Sequence, residues 1–405
     1  MAREDALNNN AGTLRNVDEN IRGEIRNTGN RSQVGKDVFR ILQATVANDK
    51  GGLTGYICQN YRMIDKEKIQ FDFLTYEDQL DFQEEFEALG AEFHIVSHPT
   101  HFMAYYRELK QIRKNRGIDT IHFNMSYANF IPLLAAKLAG YPWIIVHSHS
   151  TGMDTPSRAV RMIKKGIHRV GKQLIPYLAT DYYACSKLAA EWMFPDRIIK
   201  GNRYEVLYNA IDLPKFRFDP EKRKAMREEL GIADDVFVVG HVGRFTYQKN
   251  HEFLIRIFAE IEKKEPKSLL LLVGDGPDRE KIEEQVSACG LMGKVKFLGQ
   301  RSDVADLYQA MDALVLPSRF EGLCIVAIEA QMAALPAVWS EVLASETYVS
   351  DASTGMSLRQ SPQEWAEEIL KKKGMPRGDN TELLRKAGYD AEEEIKRVER
   401  LYLEK

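Results

Sequence analysis

From Phe39 onward the chain alternates short apolar runs with longer segments of helical period. The runs Phe39–Val46, Gln70–Tyr76, Glu92–Ser97, Thr120–Asn124, Trp143–His147 and Asp181–Ala184 predict strands. Between them, Glu77–Leu89, Tyr105–Asn115 and Ala128–Ala139 place apolar residues three and four apart, the spacing of one helix face. A second series follows, with strands Val236–Val242, Ser268–Val273, Val295–Leu298, Ala313–Pro317 and Ala337–Trp339. Its helices are His251–Lys263, Arg279–Ala288, Val304–Ala310 and Cys324–Ala334. Strands that are apolar nearly throughout predict parallel sheets covered on both faces. Two such series predict two doubly wound α/β domains facing a central cleft. The charged stretch FDPEKRKAMREEL, after YNAIDLPKF, marks the boundary. The expected division is a first domain over 38–213, a second over 214–385, and a C-terminal helix within 386–405 that crosses back to the first. Ligands of such sheets bind beyond the carboxyl ends of the strands, which points to the cleft.

Composition narrows the class without naming a chemistry. The 405 residues are 44% apolar and 28% charged, as in soluble globular proteins. A net charge of −3 gives no case for a nucleic-acid binder. Cys58, Cys185, Cys289 and Cys324 lie far apart with no C-x-x-C pair, which speaks against a disulfide scaffold and a structural zinc site. The N-terminus MAREDALNNN has no apolar signal core, and the most apolar window, Phe130–His147, is broken by Lys137, Gly140 and Pro142. A cytoplasmic protein is expected. Residues 1–37, rich in Asn and Arg and poor in aliphatics, predict a mobile tail with at most a short helix around Val17–Arg26.

Position supplies the chemistry. After Val236–Val242 comes Gly243-Arg244-Phe245-Thr246-Tyr247-Gln248-Lys249-Asn250. An Arg and a Lys in a short loop before a helix suit a diphosphate, because the helix N-terminus already favours anions. Gly274-Asp275-Gly276-Pro277 follows the next strand, and its glycines permit close backbone approach to a ligand. The stretch PSRFEGLCIVAIEA holds Glu321 and Glu329 eight residues apart, with the N–H groups of Leu323, Cys324 and Ile325 between them. Glu329 sits in an apolar helix and needs a partner, either a hydroxyl-rich ligand or a core Arg. No D-x-D pair occurs in the chain. Ser157–Leu178 carries Arg158, Arg161, Lys164, Lys165, Arg169 and Lys172 without one acid, with an apolar stripe at Val160, Ile163, Ile167, Val170 and Ile175. That pattern predicts a membrane-surface face over Arg158–Lys172.

These residues resemble a family-4 retaining glycosyltransferase of the GT-B fold, two Rossmann-like domains around a cleft. The motifs are GRFTYQKN, VGDGP, KVKFLGQ, LPSRFEGLCIVAIEAQ and YNAIDLPKF, with KEKIQFDFLTY, His147-Ser148-His149 and AGYDAEEEIKRVERLY in support. The chain is most similar to the exopolysaccharide and capsule glycosyltransferases of Gram-positive bacteria. The resemblance implies an acceptor domain followed by a donor domain. It implies a UDP- or GDP-sugar donor, with UDP expected, a lipid-linked or growing glycan acceptor, retention of configuration and no metal. Arg244 and Lys249 correspond to the diphosphate pair, with Gly243 beside them. Glu329 corresponds to the ribose contact and Glu321 to the contact with the transferred sugar. Gly322, Leu323, Cys324 and Ile325 correspond to the segment around sugar and phosphate. Phe297, Leu298 and Gln300 lie in the segment that frames the base. Gly51 and Gly52, after Lys50, correspond to the glycine-rich loop of the first domain, although Leu53-Thr54-Gly55 departs from the polar residue usual there. One of His147 and His149 corresponds to the histidine at the donor sugar, and the sequence leaves open which. Asn209 and Asp212 correspond to the interdomain linker, where turn chemistry alone also accounts for them. A non-catalytic GT-B subunit and a nucleotide-sugar epimerase or phosphorylase on the same fold are the rival readings.

Overall fold

The computed structural model describes residues 38–48, 52–155 and 157–404. The expected tail, together with Lys50 and Gly51, lies outside the described residues. The first sheet joins β1 (Phe39–Ala44), β2 (Ile69–Thr75), β3 (Glu92–Ile95), β4 (Thr120–Met125), β5 (Trp143–Ser148), β6 (Asp181–Ala184) and β7 (Glu205–Val206). Their order is 3-2-1-4-5-6-7 and every pairing is parallel. The second sheet joins β8 (Phe237–Val242), β9 (Ser268–Val273), β10 (Val295–Gly299), β11 (Ala313–Leu316), β12 (Ala337–Ser340) and β13 (Ser353–Met356) in the order 10-9-8-11-12-13, again all parallel. Every residue of β2, β4, β8 and β9 is buried; β8 and β9 read as nearly continuous apolar runs, whereas β2 and β4 also bury polar side chains such as Asp72, His122 and Asn124. The edge strands β3 and β10 are partly exposed.

In both sheets the chain reverses direction of winding beside its first strand, between β1 and β4 and between β8 and β11. Loops that leave the carboxyl ends of such neighbours diverge and open a crevice.

The structure departs from the expected elements where tertiary contacts outweigh local pattern. The segment Glu77–Leu89 is helical only over Gln83–Ala88. Asn48 holds its first half as loop: the Glu77 carboxylate accepts from Asn48 N, Asn48 Nδ2 donates to Gln79 O at 2.9 Å, and Asn48 Oδ1 accepts from Asp81 N at 2.8 Å. The helix expected over Cys324–Ala334 is Ile325–Met332. The strands β7 and β13 have no counterpart among the expected ones, because two and four residues carry too little apolar pattern.

The C-terminal helix Ala391–Leu403 packs on the first sheet, with Ile395, Val398 and Tyr402 in one core with Phe71 and Ile145. The basic helix Arg158–Leu178 turns His168, Gly171 and Ile175 inward. Ile175 is therefore buried, unlike Val160, Ile163 and Val170 of the apolar stripe to which the sequence pattern assigned it. Val160, Met162, Ile163, Val170 and Tyr177 are exposed.

The inner face of the basic helix packs so closely that a Cβ on Gly171 would stand 1.9 Å from Ala128 O, whereas a Cβ on Gly166 meets nothing within 4 Å. Gly171→Ala should lower stability by about 1–3 kcal/mol through overpacking. Gly166→Ala, on the outer side, should leave it unchanged or raise it by up to about 1 kcal/mol. Thermal unfolding of the two variants checks the orientation of the helix.

Candidate active site

The loop Gly243–Asn250 leaves β8 and turns into the helix His251–Lys264. Asn250 makes the turn at φ 59°, a left-handed conformation that Asn tolerates, and its Nδ2 donates to Pro317 O at 3.0 Å. This bond ties the loop to the segment after β11 that carries Glu321. Lys249 Nζ lies 2.7 Å from Glu321 Oε1, and Gln248 Nε2 donates to Glu321 Oε2 at 2.9 Å. Burial alone would push the Lys249 ammonium down, but the carboxylate beside it holds it above its ordinary range, so the lysine stays charged. Arg244, by contrast, is exposed on the cleft wall and has no hydrogen-bond or ion-pair partner among the described residues. One cation of the expected pair is engaged and the other is free.

Gly274-Asp275-Gly276-Pro277 lies against this loop. A Cβ on Gly274 would stand 2.2 Å from Gly243 O, and one on Gly276 2.6 Å from Phe245 O. The close approach these glycines permit is between two loops, where the sequence pointed to a ligand, although both residues also line the cleft.

The cleft holds about 910 Å³. The first lobe contributes Gly52, Ser126, His149 and Asp154; the second contributes Arg244, Lys249, Gln300 and the run Glu321–Val326. The lobes touch at its floor. A Cβ on Gly322 would stand 2.2 Å from His149 O, and one on Gly152 2.4 Å from the Phe320 ring. Thr151 Oγ1 donates to Glu321 O at 2.6 Å, Ser186 Oγ to Gly322 O at 2.8 Å, and Gln248 N to Asp154 Oδ1 at 3.2 Å.

The two histidines separate. His149 lines the cleft, while His147 is fully buried beneath it with no hydrogen bond on either ring nitrogen. Burial pushes the His149 imidazole down to about 3, which keeps it neutral. Glu329 does not line the cleft; Val326, one turn earlier on the same face, does. Its partner is neither of the two expected, since Tyr308 Oη donates to Glu329 Oε2 at 2.7 Å. Burial raises the Glu329 carboxyl. Gln300 lines the cleft, but Phe297 and Leu298 do not: Phe297 stacks on Phe245 with ring centroids 6.1 Å apart, and Leu298 packs on the core. Asn209 lines the cleft, and its Oδ1 has no partner. Gly51 lies outside the described residues.

Sequence reasoning missed Asn48, Ser126, Asp154, Gln248 and Arg301 on the cleft wall. Of these only Gln248 carried a signal, its place in the Arg/Lys loop. Asp72, Glu92 and His94 form the group of potential metal ligands found among the described residues. Asp72 is already matched by Arg40 at 2.8 Å and Arg116 at 3.1 Å, and the group does not line the cleft.

Known proteins share both the lobes and their order. Residues 50–215 match the family described as Glycosyltransferase Family 4, and residues 222–392 match Glycosyl transferases group 1. The Bacillus subtilis protein named putative glycosyltransferase EpsF is 32% identical over 369 residues, which cover 88% of this chain and 94% of that protein. The chain belongs to glycosyltransferase family 4. The Escherichia coli UDP-Gal:alpha-D-GlcNAc-diphosphoundecaprenol alpha-1,3-galactosyltransferase is 25% identical over 61% of this chain and 64% of its own length. The crystal structure of Anabaena HepE in complex with UDP-glucose aligns with a TM-score of 0.65 at 22% identity, covering 90% of this chain and 95% of that one. It shares the GT-B architecture of two parallel Rossmann-like sheets. The enzyme is a nucleotide-sugar glycosyltransferase.

Its buried ion pair has a consequence for stability. Lys249→Met leaves the Glu321 carboxylate buried with Gln248 as its remaining side-chain donor, and should cost about 3–5 kcal/mol. Adding Glu321→Gln removes the uncompensated charge and should restore most of the loss. Denaturant unfolding of the single and double variants measures both. A single variant as stable as the wild type would show that the pair is not formed in solution.

Proposed function

We propose that the enzyme transfers a hexosyl residue from a UDP-sugar to a hydroxyl of a lipid-linked glycan, with retention of configuration, in exopolysaccharide or capsule assembly. The observation that carries this reading is Arg244, a cation without a partner among the described residues, standing in the cleft beside the Lys249–Glu321 pair. The diphosphate of the donor is the anion that would complete this set. Arg244, Lys249 and the N–H groups of Gly322–Ile325 bear on it, and their charge counts for more as the glycosidic C–O bond breaks and negative charge grows on the leaving phosphate. These groups supply the positive charge that a divalent ion would otherwise bring, so a metal-free reaction is expected. Gln300 and Arg301, which line the cleft, flank the base, whereas Glu329 stands outside the lining beside Tyr308 and contributes no donor contact. Glu321, held by Gln248 and Lys249, and His149 face the transferred sugar. The acceptor oxygen attacks from the face the leaving group departs. Its proton passes to the departing phosphate oxygen, with no covalent glycosyl–enzyme. The names of EpsF, the undecaprenol-linked galactosyltransferase and the UDP-glucose complex of HepE support the choice of donor and acceptor class.

The acceptor side calls for a lipid surface. No helix among the described residues is long and apolar enough to cross a membrane. The basic helix instead exposes Met162 at 69%, Ile163 at 65% and Tyr177 at 66%, among cations on a segment that carries no acid of its own. Apolar side chains held outward on a basic helix fit the plane of an anionic bilayer. Arg161, near the start of this helix, stacks at 4.2 Å on Tyr247 of the diphosphate loop, so the proposed membrane face adjoins the donor site.

Thermal unfolding with UDP, UDP-glucose, UDP-galactose and GDP-mannose tests the donor. A uridine ligand at about 100 times its Kd should stabilise by about 2.7 kcal/mol. Arg244→Ala should abolish that shift and most turnover without lowering the midpoint of the free enzyme. A shift with GDP-mannose alone would overturn the uridine assignment. Sedimentation with phosphatidylglycerol vesicles tests the surface. Wild-type protein should pellet and Met162→Glu/Ile163→Glu should not, whereas equal pelleting of both would remove the helix from the interface.

A further inference from the structure

Among the described residues three carboxylates line the cleft: Asp154, Asp275 and Glu321. Two of them are matched. Glu321 pairs with Lys249 at 2.7 Å, while Asp275 accepts from Gly276 N at 2.8 Å and lies 3.7 Å from Arg279 Nη1. Asp154 has no cation within ion-pair distance among the described residues. Its Oδ1 accepts from Gln248 N at 3.2 Å, and no described donor reaches Oδ2. Asp154 is exposed, although its neighbours Met153 and Thr155 are buried at 7% and 8%. Its carboxylate is therefore open to a ligand in the cleft.

The turn that carries it is braced by other groups. Thr151 Oγ1 donates to Glu321 O at 2.6 Å, Thr155 N donates to Met153 O at 3.0 Å, and Arg161 Nε donates to Thr155 O at 3.2 Å. This turn leaves the carboxyl end of β5, the side of the sheet where ligands bind. It leads directly into the basic helix, which Ser157 caps by accepting from Val160 N at 3.4 Å. Asp154 thus stands on the first-lobe wall just before the helix proposed to meet lipid.

Charge decides what such a group can face. A carboxylate repels the diphosphate that Arg244 and Lys249 attract. It attracts hydroxyl hydrogens, and accepts from them more strongly than a neutral oxygen does. A sugar is the part of either substrate that offers hydroxyls without phosphate charge. The transferred sugar lies toward Glu321 of the second lobe, whereas an acceptor sugar on a lipid arrives along the first.

We propose, on the reading of the enzyme as a transferase to a lipid-linked glycan, that Asp154 is a specificity-determining residue of the acceptor site and accepts a hydrogen bond from a hydroxyl of the acceptor sugar.

Asp154→Asn tests the contact, because it inverts the polarity and keeps the shape. The amide oxygen can still accept from Gln248 N, which turns the amide NH2 toward the cleft where the carboxylate offered a lone pair. The full-length enzyme is supplied with radiolabelled UDP-glucose, UDP-galactose or UDP-N-acetylglucosamine and with lipid-linked glycans extracted from the cells that make it. Initial rates over a dilution series of the extract give the acceptor kcat/KM, and titration calorimetry gives the Kd of UDP and of the UDP-sugar. The variant should lose about ten- to a hundredfold in acceptor kcat/KM, the range for one hydrogen bond to a charged group. Both Kd values and the thermal midpoint should stay as in the wild type. An unchanged acceptor kcat/KM overturns the contact. Weaker binding of UDP would make Asp154 a support of the donor loop, and weaker binding of the UDP-sugar alone would make it a donor-sugar contact; either result overturns the acceptor assignment. Lipid that takes no label from the wild-type enzyme with any of the three donors overturns instead the transferase reading on which the contact depends.

Discussion

The site is organised around one buried carboxylate. Glu321 is 5% exposed, and an ion so enclosed costs several kcal/mol unless its charge is matched. Lys249 and Gln248 match it, and both belong to the loop after β8, whereas Glu321 follows β11. The pairing exists because β8 and β11 are neighbours in the sheet although far apart in the chain. The same reversal of winding that opens the cleft thus brings the anion and its counter-ion together. Arg244 has no partner among the described residues, and a cation so placed beside a paired lysine and glutamate is suited to an added anion.

Contact between the lobes depends on the absence of side chains. Gly322 and Gly152 stand where a Cβ would meet the His149 carbonyl and the Phe320 ring. Hydroxyls of Thr151 and Ser186 then reach the carbonyls of Glu321 and Gly322. The turn that carries the carboxylate is therefore gripped from the first lobe as well as the second. Gln248 shares in both, through its side chain to Glu321 and its backbone N–H to Asp154. Closure and the orientation of the charged groups are set by one group of contacts.

The doubly wound fold was legible because fully buried parallel strands leave continuous apolar runs, as in FVVGHV and SLLLLV. The Arg/Lys loop was legible because its residues are contiguous. What the pattern could not show were interactions formed across long sequence separations. Asn48 converts the start of an expected helix into loop from more than 25 residues away. Tyr308 supplies the partner of Glu329 from the preceding helix, where nothing marks it as polar in purpose. Hydrogen bonds through Gln43 and Asn124 link Tyr402 to His149 and so join β1, β4 and the C-terminal helix, yet these residues form no motif.

Sequence alone determined the two α/β domains, the Arg/Lys loop, the two glutamates and the basic helix, since each is a local matter of period, charge or spacing. Tertiary structure put His149 on the cleft wall and His147 in the core, because His147 lies within β5 and the chain leaves the sheet before His149. It also decided that Lys249 is already paired and Arg244 is not, and that the basic helix turns His168, Gly171 and Ile175 inward. Those outcomes depend on which groups share a volume. Only the packed chain sets that, since burial and Coulomb energy depend on distance in space and not on position in sequence.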